Sequence, residues 1–464
     1  MDMLDRANEY IRENRIAGAL RPLFHVTPPV GWMNDPNGFS EYNGEVHLFY
    51  QFHPYSTQWG PMHWGHVKSS DMVRWEELPV ALAPDKEYDC DGCFSGSALE
   101  RDGRHILVYT GVRGGLQNQC IAVGDGESYS KTPDNPVITG TMLPDGFSQT
   151  DFRDPKIFCT DDGYGLIAVN CDENNRGQIV RFVSRDLKDW KYDGVVLQND
   201  GSLGCMWECP DCFSIDGHTV LIFSPQDVAA TDTELHNGDN SVYKVDPDGK
   251  FCEIDYGLDF YAPQTTRLGD GRQVLIGWLH SWKNDYAPAG AGLNGMMTIP
   301  RELTLIGDCL YQNPVKELSN YYEDSVEYEH YMIKGMTAIP GISGRTADMT
   351  VEFPSDEDFM IRVAADEKYH TDIRYDSSGK NIFFDRRHSG ITKDINCVRE
   401  FPLHGVQQTV RIRIILDRNS VELFVNGGRE AFSAAVFTAQ SADGIYFLSD
   451  KMIGISVEYH RICI

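Results

Sequence analysis

The 464-residue sequence predicts an all-β protein in which a five-bladed β-propeller is followed by a C-terminal β-sandwich. Five apolar, strand-like runs each follow a turn glycine, and these glycines are spaced 59, 60, 54 and 54 residues apart. They are Gly44, Gly103, Gly163, Gly217 and Gly271. Asp-Gly and Asn-Gly pairs, which favour hairpin turns, recur in this region, where helical periodicity is nearly absent. Repeats of this length that contain only strand signals are typical of propeller blades.

The N-terminal segment and the end of the repeats set the domain boundaries that we predict. Residues 4–14 place Leu4, Ala7 and Ile11 on one face, which predicts a short helix. Residues 315–330 are polar and favour a helical connection between domains. The predicted domains are a helical segment over residues 1–20, the propeller over residues 21–318 and the sandwich over residues 319–464.

The last domain is also rich in strand signals. Residues 409–416 alternate apolar and basic side chains, as a strand buried on one face does. A turn at 417–420 and an apolar return strand at 421–425 complete a hairpin, and the Asn-Gly-Gly sequence at 426–428 predicts the next turn. About 135 residues of such patterns suit a β-sandwich.

The composition and net charge of the chain indicate which kinds of molecule it can bind. Lys and Arg total 41 against 69 Asp and Glu, which gives a formal net charge of −28. This charge argues against nucleic acid or an anionic membrane as a partner and favours a neutral ligand, although acidity for solubility alone explains it equally well. The N-terminus has no signal-peptide pattern, and no apolar run is long enough to span a bilayer. We therefore expect a cytoplasmic protein, either a monomer or a homodimer.

The cysteines raise the question of a metal site. Twelve are present, and they include two C-x-x-C pairs, Cys90 with Cys93 and Cys209 with Cys212. Four thiolates would suit a structural zinc ion. However, 116 residues separate Cys93 from Cys209, far beyond the interval of a zinc ribbon. We therefore expect free thiols and no metal ion.

Three acidic residues lie in similar turn-like settings. Asp35 and Asp154 directly precede a proline, and Glu208 precedes one by two positions. Each is reached by counting back nine residues from the turn glycine of its repeat, as are Phe94 and Ala262 in the other two repeats. Equivalent positions of propeller blades lie at equal distances from the central axis. The three acids are therefore expected to converge at one end of the channel.

Converging carboxylates suit glycoside hydrolysis, in which one attacks the anomeric carbon and another protonates the leaving oxygen. Asn34 would donate a hydrogen bond to an ionised nucleophile, and an apolar neighbour such as Trp207 would raise the pKa of the acid. Arg153 would keep Asp154 charged. Flat faces for sugar rings are offered by Trp32, Trp59, Phe94 and Tyr261, each of which, taken alone, is better explained as propeller core.

Seven motifs, found in order, carry a resemblance to a known family. They are WMNDPNG at 32–38, QF at 51–52, WG at 59–60, FSGS at 94–97, FRDP at 152–155, WECP at 207–210 and FYAPQT at 260–265. Together they resemble glycoside hydrolase family 32, which includes invertases, sucrose-6-phosphate hydrolases and fructan hydrolases. SVELFVN at 420–426 resembles the C-terminal sandwich of that family. The resemblance covers nearly the whole chain and implies a five-bladed propeller followed by a β-sandwich.

The resemblance also implies a role for each acid: Asp35 as the nucleophile, Glu208 as the general acid/base and Asp154 as the stabiliser of the transition state. It implies no metal ion and no cofactor. Cys209 matches the position that tunes the acid in the family. The positions that match substrate-binding residues are Asn34, Gln51, Trp59, Phe94, Ser95, Arg153, Cys209, Tyr261 and Trp282.

The activity implied by the resemblance is that of a retaining β-fructofuranosidase acting on sucrose, sucrose 6-phosphate or short fructooligosaccharides. Two alternatives stay open: a propeller glycosidase that acts on pentosides such as arabinans or xylans, and a carbohydrate-binding propeller without activity. A phosphorylated substrate would need a cation beside the leaving glucose. Arg113, Lys131 and Lys283 are the candidates near motif loops.

Overall fold

The computed structural model of the chain describes residues 2–18, 21–284, 290–391 and 393–464. Helix α1 (Met3–Asn14) begins after Asp2, whose side chain accepts a hydrogen bond from the backbone N–H of Asp5 at 2.8 Å, as an N-cap residue does. The helix buries Ala7 against the first propeller sheet, where Asn8 accepts a hydrogen bond from the Val80 N–H at 2.9 Å. No helix among the described residues is long and apolar enough to cross a membrane.

Five small antiparallel sheets follow the helix and form the five predicted blades. Their strands are β1 (Gly31–Tyr42), β2 (Glu45–His53), β3 (His63–Ser69) and β4 (Glu76–Leu82); β5 (Gly92–Arg101), β6 (Arg104–Arg113), β7 (Leu116–Gly124) and β8 (Tyr129–Lys131); β9 (Phe152–Thr160), β10 (Gly163–Cys171), β11 (Gly177–Ser184) and β12 (Trp190–Gln198); β13 (Trp207–Ile215), β14 (His218–Pro225), β15 (Val242–Val245) and β16 (Phe251–Glu253); and β17 (Tyr261–Arg267), β18 (Gln273–Trp278), β19 (Leu293–Asn294), β20 (Arg301–Ile306) and β21 (Cys309–Pro314). Short 3₁₀ helices lie at Glu87–Asp89 and Gly140–Met142.

The blades close into a ring through their first strands. β1, β5, β9, β13 and β17 contact one another in sequence, and β17 contacts β1 again. The two-residue strand β19 leaves blade 5 and pairs in parallel with β1, with Gly31 opposite Leu293. Large apolar side chains pack between neighbouring blades, such as Trp64 of blade 1 with Tyr109 of blade 2. The propeller is therefore a closed structure in which the first strand of every blade lies nearest the axis.

The register of the first strands corrects one detail of the residue count. Asp154, Cys209 and Ala262 all have a positive φ, of 58°, 49° and 51°, and each lies in an irregularity of its strand pair. Glu208 is the last regularly paired residue before this irregularity, so it is equivalent to Arg153 and not to Asp154. Counting back nine residues from the two glycines reaches positions that differ by one, because the glycines themselves are not equivalent. Gly163 is the first paired residue of β10, whereas Gly217 lies in the two-residue turn before β14.

The C-terminal domain is a β-sandwich built from one ten-stranded sheet that folds back on itself. The strands are β22 (Tyr322–Thr337), β23 (Ala347–Pro354), β24 (Phe359–Ala365), β25 (Thr371–Asp376), β26 (Asn381–Asp385), β27 (Val398–Pro402), β28 (Thr409–Asp417), β29 (Ser420–Val425), β30 (Glu430–Ala435) and β31 (Gly444–Ile462). The 19-residue strand β31 joins the layers, because its first part pairs with β24 and its last part with β23. The hairpin predicted at residues 409–425 is confirmed as β28 and β29.

The connection between the domains differs from the expected helix. Only Lys316–Tyr321 forms a 3₁₀ helix, and residues 322–330 belong to strand β22, which pairs with β31. Val326 and Tyr328 pack against the apolar core of the sandwich, while Glu327 and Glu329 are exposed. The polar composition of this segment therefore reflects an exposed edge strand and not a helix. The boundary between residues 318 and 319 stays a prediction.

Candidate active site

Asp35 and Asp154 meet at one thiol. They lie on β1 and β9, and the intervening group is Cys209 of β13. The Cys209 backbone N–H donates to Asp154 Oδ2 at 2.9 Å, and its Sγ lies 3.6 Å from Asp35 Oδ2 and 3.7 Å from Asp154 Oδ2. The sharp turn at the positive φ of Cys209 aims both its N–H and its side chain at the acids. The irregularity in β13 thus brings carboxylates of blades 1 and 3 together.

Asp35 is held by a residue of the neighbouring blade. Ser95 Oγ, from β5, donates a hydrogen bond to Asp35 Oδ2 at 2.6 Å. The buried Oδ1 of Asp35 accepts no hydrogen bond from the described part of the chain. Burial, followed by the negative charge of Glu208, raises the pKa of Asp35, while the hydrogen bond from Ser95 lowers it. One oxygen of this carboxylate is therefore positioned by the protein, and the other has no hydrogen-bond donor in the described part of the chain.

Glu208 receives four hydrogen bonds. Arg153 donates to Oε1 through Nε at 3.1 Å and Nη2 at 2.9 Å. Tyr261 Oη and Gln226 Nε2 donate to Oε2 at 2.8 and 2.9 Å. Arg153 also donates to Gln117 Oε1 at 3.4 Å and Asp151 Oδ1 at 3.3 Å, and its positive charge lowers the pKa of Asp154, as the sequence had suggested. Gln226 was missed because it follows β14 in a loop outside every motif, so only its tertiary contact reveals it.

Asp154 lies in a strongly negative setting. Burial raises its pKa to about 7; the positive charge of Arg153 opposes this shift, and the charges of Glu208 and Asp35 add to it. The backbone N–H of Asp154 donates to Thr110 Oγ1 at 3.0 Å. The Asp154 carboxylate therefore interacts with two other acids and with the Arg153 guanidinium.

Aromatic side chains surround the acids. Trp32, Tyr261 and Cys209 belong to one apolar cluster, against which Phe94 and Trp282 pack. The rings of Trp32 and Trp282 stack with centroids 5.9 Å apart, and Trp59 meets Phe94 edge to face at 5.8 Å. Trp59 is 51% exposed, which is unusual for so large an apolar side chain. Its exposed face is available to a sugar, whereas Trp32 and Tyr261 are core residues with polar tips.

Two amides complete the residues that the motifs had indicated. Asn34 is buried, and its Oδ1 accepts a hydrogen bond from Trp32 Nε1 at 2.8 Å. Gln51 is also buried, and its Nε2 donates to the Cys93 carbonyl at 3.0 Å. Each contact fixes one end of an amide and leaves its other end for a further partner.

The three candidate phosphate-binding cations have different surroundings. Lys131 is buried, and its Nζ lies 2.6 Å from both Asp85 and Asp89. Arg113 pairs with Glu87 on the surface at 2.6 Å. Lys283 is half exposed and directly follows Trp282 of the aromatic cluster. Among these three, Lys283 is therefore the one that adjoins the aromatic cluster around the acids.

A metal site is not evident in the described ranges, where no group of three or more His, Cys, Asp or Glu side chains could hold an ion. The cysteines of the two C-x-x-C pairs are free thiols, with Cys90 exposed and Cys93 and Cys209 buried. The close neighbours of the Cys209 thiol are the two aspartates and not other sulfur atoms.

Family profiles match both domains. The glycosyl hydrolases family 32 N-terminal domain matches residues 25–314, and the family 32 C-terminal domain matches residues 317–461. The chain belongs to glycoside hydrolase family 32. The family indicated by the seven motifs is thereby confirmed, and this family 32 protein is a glycoside hydrolase.

Relatives of the family 32 chain include a sucrose-6-phosphate hydrolase of Zymomonas mobilis, which is 34% identical over 447 residues, or 87% of this chain and 83% of that protein. A solved structure of the β-fructofuranosidase of Bombyx mori superposes with a TM-score of 0.88 at 34% identity and covers 99% of this chain and 97% of that one. A mutant of the same enzyme in complex with sucrose gives a TM-score of 0.87, with the same identity and coverage.

Proposed function

We propose that this family 32 hydrolase is a retaining β-fructofuranosidase that releases fructose from sucrose, sucrose 6-phosphate or short fructooligosaccharides. The observation that carries the proposal is the pair formed by Asp35, with one oxygen anchored by Ser95 and the other unbonded, and Glu208, whose charge acts on it. The names of the relatives, a sucrose-6-phosphate hydrolase and a β-fructofuranosidase solved with sucrose, support this substrate class. The cytoplasmic location and the oligomeric state stay predictions.

The reaction begins with attack of an Asp35 oxygen on C2 of the fructosyl unit, which forms a covalent fructosyl-enzyme. Glu208 gives its proton to the departing glycosidic oxygen. It then takes a proton from the water that attacks C2 and releases Asp35. Each attack inverts the configuration at C2, so the product retains the β-configuration.

The remaining polar residues serve these two steps. Tyr261, Gln226 and Arg153 fix the orientation of Glu208 through the four hydrogen bonds to its oxygens. Asp154 accepts hydrogen bonds from hydroxyl groups of the fructosyl ring and stabilises the positive charge that develops on the ring in the transition state. Trp59 offers its exposed face to the sugar.

The stereochemical course tests the proposal. NMR of the first product formed from sucrose should show β-fructofuranose before mutarotation, and high sucrose concentrations should yield some trisaccharide through capture of the intermediate.

Asp35→Ala should lower kcat by about five orders of magnitude, because the covalent step is removed while the fold remains. Initial α-fructofuranose would mean a single inversion and a different role for Asp35. Release of arabinose from arabinosides, without fructose from sucrose, would favour the pentosidase alternative, and no turnover at all would favour a binding protein.

A further inference from the structure

Lys283 is paired with two carboxylates of the loop that begins at Gln226. Lys283 Nζ is 3.3 Å from Asp227 Oδ1 and 3.5 Å from Asp239 Oδ2. Asp239 is buried, and its Oδ1 accepts a hydrogen bond from the Asp227 N–H at 3.1 Å. Asp227 also accepts a hydrogen bond from Cys205 Sγ at 3.4 Å. Two carboxylates, both fixed by other contacts, therefore share one ammonium group.

This cluster adjoins residues that contact Glu208 and the aromatic cluster. Asp227 directly follows Gln226, which donates to Glu208 Oε2 at 2.9 Å, and the charge of Glu208 acts on Asp239. Lys283 directly follows Trp282 of the aromatic cluster. In the proposed reaction Glu208 protonates the leaving oxygen, so the group attached to that oxygen passes beside Lys283, Asp227 and Asp239.

We infer that Lys283, Asp227 and Asp239 select an uncharged leaving group, so that the enzyme prefers sucrose to sucrose 6-phosphate. The inference rests on the proposed function. A phosphate on the glucosyl ring would lie within about 8 Å of the glycosidic oxygen, roughly one Debye length at physiological salt. The phosphate would lie near two carboxylates, which repel it, and near a lysine whose charge these carboxylates already neutralise. A neutral glucosyl unit is not repelled, and its hydroxyl groups can form hydrogen bonds with both the carboxylates and the ammonium group.

Three other cations near the motif loops are already paired with carboxylates. Arg153 is engaged by Glu208 and Asp151, Lys131 is buried among aspartates, and Arg113 is paired with Glu87. The net charge of −28 adds a general repulsion of phosphorylated sugars.

The test compares kcat/KM for sucrose and sucrose 6-phosphate at pH 7.5, at low and at high salt. The wild type should favour sucrose by about tenfold at low salt, and high salt should narrow the difference because it screens the charges. Asp227→Asn removes an exposed negative charge and releases Lys283, so it should raise the ratio of kcat/KM for sucrose 6-phosphate to that for sucrose by about threefold. Lys283→Gln should lower the same ratio.

Asp232→Asn is the matched control, because Asp232 is exposed in the same loop, whereas the salt bridges of Lys283 within the described part of the chain are to Asp227 and Asp239. It should leave the ratio unchanged. A wild-type preference for sucrose 6-phosphate, or equal ratios in Asp227→Asn and Asp232→Asn, would overturn the inference while leaving the fructosidase intact. Absence of fructose release from both sugars would instead overturn the proposed function.

Discussion

At the scale of single residues, the three carboxylates of the site are distinguished by their donors. Asp35 receives the hydroxyl of Ser95, Asp154 receives the backbone N–H of Cys209, and the Cys209 thiol lies against both. Glu208 receives a guanidinium, a phenol and an amide. Burial and the negative charge of neighbouring acids raise the pKa values of both Asp35 and Asp154. Three carboxyl groups in similar sequence settings thereby acquire different chemical properties from their surroundings.

The hydroxyl of Ser95 should set the acid limb of the pH profile. Asp35 must be ionised to attack, so kcat/KM falls as the pH drops through its pKa, and the hydrogen bond from Ser95 lowers that pKa. Ser95→Ala should therefore move the acid limb upward by about one pH unit. Ser214→Ala, an exposed serine on β13, is the control. A profile that drops in height without moving would show that Ser95 only positions the substrate.

Asp154 should carry a stability cost that catalysis requires. Its pKa is raised from 3.8 to about 7, so the cost is absent below the unfolded value and complete above about pH 7. Asp154→Asn should raise the free energy of unfolding by about 1–3 kcal/mol at pH 8 while abolishing activity. At pH 4 the variant and the wild type should be nearly equal in urea unfolding. An equal gain at both pH values would exclude ionisation as the cause.

At the scale of elements, hairpin turns and strand alternation were predictable because they are local. The five blades and the hairpin of β28 and β29 follow from turn glycines and side-chain alternation alone. The equivalence of Glu208 with Arg153 was not predictable, because a one-residue shift in a turn is invisible in the spacing of glycines. Residues 322–330 were misassigned since their polar face is explained only by the pairing of β22 with β31. Gln226 likewise is revealed only by its hydrogen bond to Glu208 across the hairpin of β13 and β14.

The segment before β1 is anchored on the sandwich by charge. Asp417 accepts hydrogen bonds from the backbone N–H groups of Leu23 and Phe24 and from His25 Nδ1, and His25 Nε2 lies 2.8 Å from Glu422 Oε1. Arg301 also pairs with Glu422. Although burial disfavours the charged ring, the hydrogen bonds to Asp417 and Glu422 raise the pKa of His25 to about 9.

This anchor should make stability depend on pH. Because the folded pKa of His25 is raised, its contribution is fully present below 6.5 and is lost as the pH rises through about 9. The wild type should therefore lose up to about 3 kcal/mol of unfolding free energy between pH 6.5 and pH 10 from this group. His25→Gln should be less stable at pH 6.5 but should show a smaller decline, as measured by urea unfolding. An equal decline in both proteins would assign it to other groups.

At the scale of the whole molecule, the two domains share one interior. Ile299 and Val315 of the propeller pack in the same buried cluster as Ile415 and Phe424 of the sandwich. At this junction Arg301 is fully buried and donates to Asp255 in the propeller at 2.8 Å and to Glu422 in the sandwich at 2.6 Å. Separating the domains would expose this apolar surface and leave buried charges unpaired, at a cost of several kcal/mol.

The shared interior predicts that the domains unfold in one cooperative transition. All eight tryptophans lie between residues 32 and 282, so tryptophan fluorescence reports on the propeller alone, whereas far-UV circular dichroism reports on both domains. Ile361→Ala in the sandwich core removes a fully buried side chain and should cost about 2–5 kcal/mol. Because the propeller depends on the sandwich, the fluorescence midpoint in urea should fall together with the circular dichroism midpoint.

Met452→Ala is the control for this last prediction, because Met452 is 65% exposed on the same domain and its truncation should move neither midpoint. If Ile361→Ala instead gave a biphasic circular dichroism curve with an unchanged fluorescence midpoint, the sandwich would unfold alone and the junction would add little to the propeller. A common shift would mean that the ring of five blades, and with it the spacing of Asp35 and Glu208, is stabilised in part by a domain that contributes no residue to the site.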